Sequence, residues 1–132
     1  MRTKLAVAAA GLGLLLASVP AIAHHSFAAE FDAAKPIKLT GAVTKVEWMN
    51  PHTYFYIDVK DEKGTVTNWG LEMGSPNGLM RQGWTRNSMK IGDVVTVEGS
   101  AAKDGSNIGN ARSVTLQGGQ RLFAGSSQNT TP

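Results

Sequence analysis

Residues 53–72 have the sequence TYFYIDVKDEKGTVTNWGLE, and this stretch decides the fold class. In its first half, Phe55, Ile57 and Val59 alternate with residues that would lie on the opposite face, which is the period of two typical of a half-buried strand. The turn sequence DEKG at 61–64 then separates this run from a second run of strand-forming residues. The stretch therefore predicts a β-hairpin near the middle of the chain.

Three further strand-like runs flank this hairpin, and each is bounded by turn residues. The first run changes the phase of its apolar residues near Thr44 and Lys45, which predicts a β-bulge. The last two runs are joined by a turn that contains Gly and Asn, and they form a second hairpin. The five predicted strands cover residues 39–48, 53–60, 65–72, 93–100 and 108–116.

A short helix is predicted between the two hairpins. Ser75 is a helix-capping residue type and proline suits the first helical position, so the helix should run from Pro76 to about Trp84. Three strands, a helix and two strands are the element order of a small OB-type barrel. We therefore predict an all-β fold with one short helix, a five-stranded OB-like barrel over residues 37–117. An open antiparallel β-sandwich is the alternative.

The first 23 residues have the three parts of a secretory signal peptide. Two basic residues precede an apolar run over 5–16, and Ala21 and Ala23 supply the small residues of a cleavage site. The apolar run is shorter than the roughly 20 residues that cross a bilayer. We expect cleavage after Ala23 and a periplasmic or secreted protein with no membrane span. The alternative is an N-terminal anchor that is never cut.

Two segments flank the predicted barrel. Residues 24–36 would form an arm that ends at Pro36, and Phe27 and Phe31 are spaced to lie on one side of it. We expect these two rings to anchor the arm near the start of the second strand. Residues 118–132 are polar and are predicted to be a disordered tail.

Composition excludes several classes of function. The chain has 13 basic and 10 acidic residues, and removal of the two basic residues of the leader leaves 11 − 10 = +1. Because its Lys and Arg are scattered singly, the chain lacks a basic stripe that could track phosphates, and we expect no nucleic-acid partner. The absence of cysteine excludes disulfides, thiolate metal sites and thiol nucleophiles. Nothing in the sequence predicts a nucleophile with its base, so an enzyme is not favoured.

All three histidines are candidate metal ligands. Cleavage would make His24 the first residue, whose α-amine and ring Nδ1 can chelate one ion together. A second imidazole from His52 would complete three nitrogen ligands, a set that suits copper as Cu(II), and His25 could assist. Met49 and Met73 are candidate sulfur ligands that would favour Cu(I). The alternative is that these side chains only fill the core or hold turns.

Tyr54 and Tyr56 are candidates for a ligand-binding face. They lie on the side of the second strand opposite its apolar residues, and strands 2 and 3 form the usual ligand face of OB barrels. Two exposed rings there could stack on a sugar or a base. Cross-strand aromatic pairing explains them equally well.

Four short motifs follow one another along the chain: AHHSF at 23–27, WMNPH at 48–52, WGLE at 69–72 with SPN at 75–77, and GDVVTVEG at 92–99. In this order they resemble the small exported bacterial proteins of the domain of unknown function 6152 family, over almost the whole mature chain. The resemblance implies a periplasmic location and no established activity. Its motif histidines coincide with the three histidines of this chain.

Two functions from different classes follow. The first is a periplasmic small binding protein that holds copper through the mature N-terminal histidine and His52. The predicted barrel looks like small periplasmic OB-fold copper carriers, although the match is not residue by residue. The second is a metal-free envelope adaptor that binds a peptide, a glycan or a protein on the face of strands 2 and 3.

Overall fold

The computed structural model describes residues 27–125, which form six strands and two short helices. Neither helix in this range is long and apolar enough to cross a membrane. In chain order, the elements are α1 (Phe27–Glu30), β1 (Phe31–Glu47), β2 (Tyr54–Lys60), β3 (Val66–Glu72), α2 (Pro76–Arg81), β4 (Val94–Ala102), β5 (Ile108–Thr115) and β6 (Arg121–Phe123).

The sheet closes into a barrel of five strands. Its strand order is β3-β2-β1-β4-β5-β6, and all of these neighbours pair antiparallel. A parallel pairing of β3 with β5, from Gly70 opposite Ile108 to Glu72 opposite Asn110, joins the two sides. The ring of β1, β2, β3, β5 and β4 is the predicted OB-like barrel, and the fold is not the open sandwich.

Strand β1 is longer than predicted and pairs with both β2 and β4. Its pairing with β2 shifts register between Val43 and Lys45, so the predicted bulge is confirmed. The strand begins at Phe31, inside the predicted arm, because Phe31 pairs with Ala102 of β4 and is buried. A second register shift precedes Pro36, which has no N–H to donate to a ladder.

The core lies inside the barrel and is built from the predicted inward faces. Phe55 and Ile57 of β2 are fully buried, and β3, β4 and β5 contribute equally buried side chains. A Cβ at Gly99 of β4 would overlap the carbonyl oxygen of Asn110 of β5, so only glycine allows the two strands to approach this closely. The largest fully buried side chains are Phe55, Ile57, Leu71, Met73, Leu79, Val43, Val95, Val97, Val114 and Thr53.

Helix α2 packs on the core through Leu79 and has the predicted cap. The Ser75 hydroxyl accepts a hydrogen bond from the Gly78 N–H at 3.2 Å, and Pro76 occupies the first turn. The helix ends at Arg81, before the predicted end near Trp84, because Gly83 has a positive φ of 99° that leaves the helical region.

Strand β6 lies in the segment that the sequence predicts to be a disordered tail. It pairs with β5 and buries Leu122 and the following Ala124. The Trp84 indole N–H donates to the Phe123 carbonyl at 2.8 Å, and Arg121 Nη2 donates to Glu98 Oε2 of β4 at 2.7 Å. These contacts hold β6 on the sheet, so strand pairing continues beyond residue 117, where the predicted barrel ends.

Candidate functional site

The first residues of β2 and the last residues of β3 bring polar side chains together on the outside of the barrel. Tyr54 pairs with Glu72, and both side chains lie opposite the inward-pointing Phe55 and Leu71. His52 lies two residues before β2, after a cis Asn50–Pro51 peptide bond. The candidate site consists of His52, Tyr54 and Glu72.

Glu72 is the buried acid of this site. It is only 8% exposed, and the Tyr54 hydroxyl donates to its Oε2 at 2.7 Å. Burial raises the pKa of Tyr54 well above its usual range, and the hydrogen bond and the charge of Glu72 raise it further. The Tyr54 oxygen is therefore a neutral donor that holds the carboxylate, and it does not become a phenolate.

His52 contacts the end of β3 through one ring nitrogen. Its Nδ1 lies 3.1 Å from the Met73 carbonyl oxygen and 3.8 Å from Glu72 Oε1. A carbonyl oxygen only accepts hydrogen bonds, so this geometry assigns the ring proton to Nδ1. In the neutral ring, Nε2 then carries the free lone pair, and the side chain is 29% exposed. Such a nitrogen can bind a metal ion.

The arm packs beside the β4–β5 turn. The Phe27 and Phe31 rings lie 5.7 Å apart between centroids, and the Lys103 N–H donates to the Glu30 carbonyl at 2.9 Å. The Glu30 charge lies near enough to the Tyr54 hydroxyl to contribute to its raised pKa, after burial and Glu72. The printed contacts of the arm are therefore with the end of β4 and the β4–β5 turn, and its anchoring near the start of the second strand stays a prediction.

Two of the predicted metal ligands, His24 and His25, lie outside the described residues, as do the predicted leader and its cleavage site. Their approach to His52 therefore stays a prediction. The other three predicted ligands are His52, Met49 and Met73, and the structure describes all of them.

The two methionines occupy different environments. Met73 belongs to the core cluster and is 2% exposed, so its side chain has the packing role that was the alternative to metal binding. It meets His52 through its main-chain carbonyl. Met49 is 45% exposed. Within residues 27–125, no group of three or more His, Asp or Glu side chains is arranged to hold a metal ion.

Tyr56 is held on the outer face by its neighbours. A Cβ at Gly70 would lie 3.1 Å from its ring, so the ring covers a glycine on β3. The Lys45 ammonium lies 5.4 Å from the ring centroid and pairs with Glu47 at 2.6 Å, and the Tyr56 hydroxyl donates to Glu47 at 3.4 Å. Both tyrosines are half-buried rather than fully exposed.

The pairing of Glu72 with Tyr54 could have been predicted from the register of the hairpin, although not from residue type alone. In an antiparallel hairpin, paired residues lie at equal distances from the turn, and the turn here is centred on Lys63. Counting outward from it pairs Tyr54 with Glu72, as the structure does. The contact of His52 with Met73 has no comparable signal, because it depends on the irregular loop before β2.

A shallow cavity of about 300 Å³ lies between the arm and the β4–β5 turn. Its walls include Phe31 and Ile108 with the polar residues Glu30, Lys103 and Asp104. It contains none of the predicted site residues.

Comparisons with known proteins address the fold and the family. No curated protein matches the chain. The mitochondrial single-stranded DNA-binding protein Rim1 from S. cerevisiae is 12% identical with a TM-score of 0.49, over 62% of this chain and 92% of that one. TiaS, from its complex with a tRNA and ATP, is 23% identical with a TM-score of 0.47, over 64% of this chain and 18% of that one. The model of the family of unknown function DUF6152 matches residues 10–112, and the chain belongs to that family.

Proposed function

We propose that this protein is a periplasmic small binding protein that holds Cu(II) through His52 and the mature N-terminal histidine. The observation that carries the proposal is the contact between His52 Nδ1 and the Met73 carbonyl at 3.1 Å. Metal-binding histidines commonly donate their other ring N–H to a carbonyl or carboxylate, which orients the ligating nitrogen. His52 has such a partner.

The remaining ligands come from the arm in this proposal. Residues 27–125 contain no complete set of ligands, so an ion at His52 needs donors from outside this range. His24 is three residues before Phe27, and an extended chain covers about 3.3–3.6 Å per residue, or about 10 Å in total. Glu30 of the arm contributes to the raised pKa of Tyr54, after burial and Glu72, and the proposal takes the remaining donors from this arm.

The accessible donors favour Cu(II) over Cu(I). Soft sulfur ligands select Cu(I). The Met73 side chain is packed in the core, so Met49 is the one exposed sulfur among the candidate ligands, against the imidazole and amine nitrogens of the histidines. Imidazole and amine nitrogens bind Cu(II) most tightly among the common divalent ions of the first transition row. We therefore expect the protein to bind Cu(II) more tightly than Zn(II). We also expect Met73→Leu and Met49→Leu to keep the Cu(II) affinity of the wild type.

The test is a Cu(II) titration against a competing chelator, with protein that begins at His24. An N-terminal Ala-Pro extension should weaken binding because it removes the chelate of the His24 α-amine and ring nitrogen while keeping every side chain. The proline has no amide N–H, so the extended chain cannot bind Cu(II) through its own backbone amides in front of a third-position histidine. His52→Ala should weaken it by at least about tenfold, since changes in outer-shell partners alone cost about 10–100-fold. Met49→Leu is the control for an exposed residue near the same loop. Equal affinity of the wild type, the extended protein and His52→Ala would refute the proposal.

A double-mutant cycle tests whether one ion joins the two histidines. The Ala-Pro extension and His52→Ala should show non-additive losses of binding free energy when both ligands bind the same ion. Additive losses would place His24 and His52 at separate sites.

The metal-free adaptor has less support. The Tyr54 hydroxyl already donates a hydrogen bond to Glu72, and the Tyr56 hydroxyl donates one to Glu47. The Lys45 ammonium lies over the Tyr56 ring. The same face carries carboxylates, which would repel the phosphates of a nucleic acid. A peptide or glycan ligand would have to displace these contacts or bind beside them.

A further inference from the structure

We propose that Glu72 and Tyr54 are positioning residues that hold the His52 ring in its Nδ1–H form and so present Nε2 as a ligand. The effect on copper rests on the proposed function, whereas the effect on the ring proton can be measured without metal. Neither residue touches the ion in this proposal. They act through His52.

The surroundings of His52 determine which of its two ring nitrogens carries the proton. A neutral imidazole carries its proton on either nitrogen, and free histidine in water prefers Nε2–H. The hydrogen bond made by one nitrogen decides which nitrogen is left for a metal. His52 therefore needs a partner that favours a proton on Nδ1.

Two acceptors face Nδ1 of His52. The Met73 carbonyl accepts at 3.1 Å, and Glu72 Oε1 lies at 3.8 Å. The second distance is too long for a hydrogen bond, so Glu72 acts through its negative charge. Glu72 is 8% exposed, and a charge in such surroundings is less screened than one in water. The charge favours the N–H edge of the ring on this side.

Tyr54 fixes the direction of the carboxylate. Its hydroxyl binds Oε2 at 2.7 Å, which leaves Oε1 as the oxygen that faces His52. The backbone beneath is paired on both sides, because the Thr53 N–H donates to the Gly74 carbonyl and the Met73 N–H donates to the Thr53 carbonyl. Backbone hydrogen bonds therefore join the two segments that carry His52, Tyr54 and Glu72.

The chain offers a matched pair of substitutions. Tyr54→Phe removes the hydroxyl that holds Glu72, and Tyr56→Phe removes the hydroxyl that contacts Glu47 on the same strand face. Glu72→Gln keeps the shape and an acceptor for Tyr54 but removes the charge.

The experiment records ¹⁵N long-range correlation spectra of the histidine rings in metal-free protein that begins at His24. The spectra should be recorded at a pH of about 8, which lies above the ordinary histidine pKa of about 6.5 and favours neutral rings. We expect the Nδ1–H form for His52 in the wild type and a larger Nε2–H fraction in Glu72→Gln and Tyr54→Phe. Tyr56→Phe should match the wild type. Cu(II) affinity should fall about 10–100-fold in Glu72→Gln and stay unchanged in Tyr56→Phe.

The outcomes separate this inference from the proposed function. An Nε2–H ring in the wild type, or an unchanged ring form in both Glu72→Gln and Tyr54→Phe, overturns the positioning role. A changed ring form with unchanged Cu(II) affinity overturns its link to metal binding. If the wild type binds no Cu(II) but the ring form responds to Glu72→Gln, the proposed function fails and the control of the ring proton stands.

Discussion

Thr53→Val should stabilise the fold, because Thr53 contains a buried polar atom without a partner. The residue is fully buried, and its Oγ1 has no hydrogen bond, whereas its backbone N–H and carbonyl are both paired. Burying an unsatisfied hydroxyl costs about 1–3 kcal/mol. Valine has nearly the same shape and replaces this oxygen with a methyl group. We expect the free energy of unfolding to rise by about 1–3 kcal/mol.

Urea denaturation provides the measurement. The midpoint should rise with an unchanged slope, and the thermal midpoint should rise by about 4–8 °C for each kcal/mol in a domain of this size. Thr96→Val is the control, because the Thr96 hydroxyl is bonded to that of Thr40 at 2.9 Å and its loss should not stabilise the protein. A neutral or destabilising Thr53→Val would instead mean that the hydroxyl is hydrogen-bonded in solution, and the predicted stabilisation would be wrong.

Two further predictions concern β4. Gly99→Ala should lower the free energy of unfolding by at least about 2 kcal/mol, because its Cβ would overlap the backbone of β5, whereas Gly118→Ala in open space should change it by less than about 0.5 kcal/mol. Urea midpoints compare the two. The hydrogen bond and charge of Arg121 lower the pKa of Glu98 below its ordinary 4.5, so this pair stabilises the fold above that pH and loses its effect as the pH falls through the lowered pKa. Urea midpoints measured across this acid range should fall less steeply in Arg121→Gln than in the wild type, and equal slopes would contradict the assignment.

The site was only partly accessible from the sequence. His52 could be chosen by residue type, and its loop by the proline before it. The pairing of Tyr54 with Glu72 follows from counting outward from the turn, because antiparallel register is set locally by the turn. The burial of Glu72 and the contact of His52 with the Met73 carbonyl depend on how the loop before β2 meets the end of β3, which no local pattern encodes.

Local sequence patterns predicted the individual elements of the fold. Alternation of side chains identified β2, a change of phase located the bulge in β1, and Ser75 before Pro76 marked the start of α2. Each of these features depends on residues within a few positions of one another, through backbone preference and the period of the strand or helix.

The start of β1 and the whole of β6 could be identified only from long-range pairing in the folded structure. Residues around Phe31 and Leu122 have no strong local preference for a strand, yet both segments pair with distant strands and bury apolar side chains there. The parallel contact of β3 with β5 closes the barrel in the same way. Burial against residues far along the chain outweighs local propensity at these positions, so their structure appears only when the whole barrel has formed.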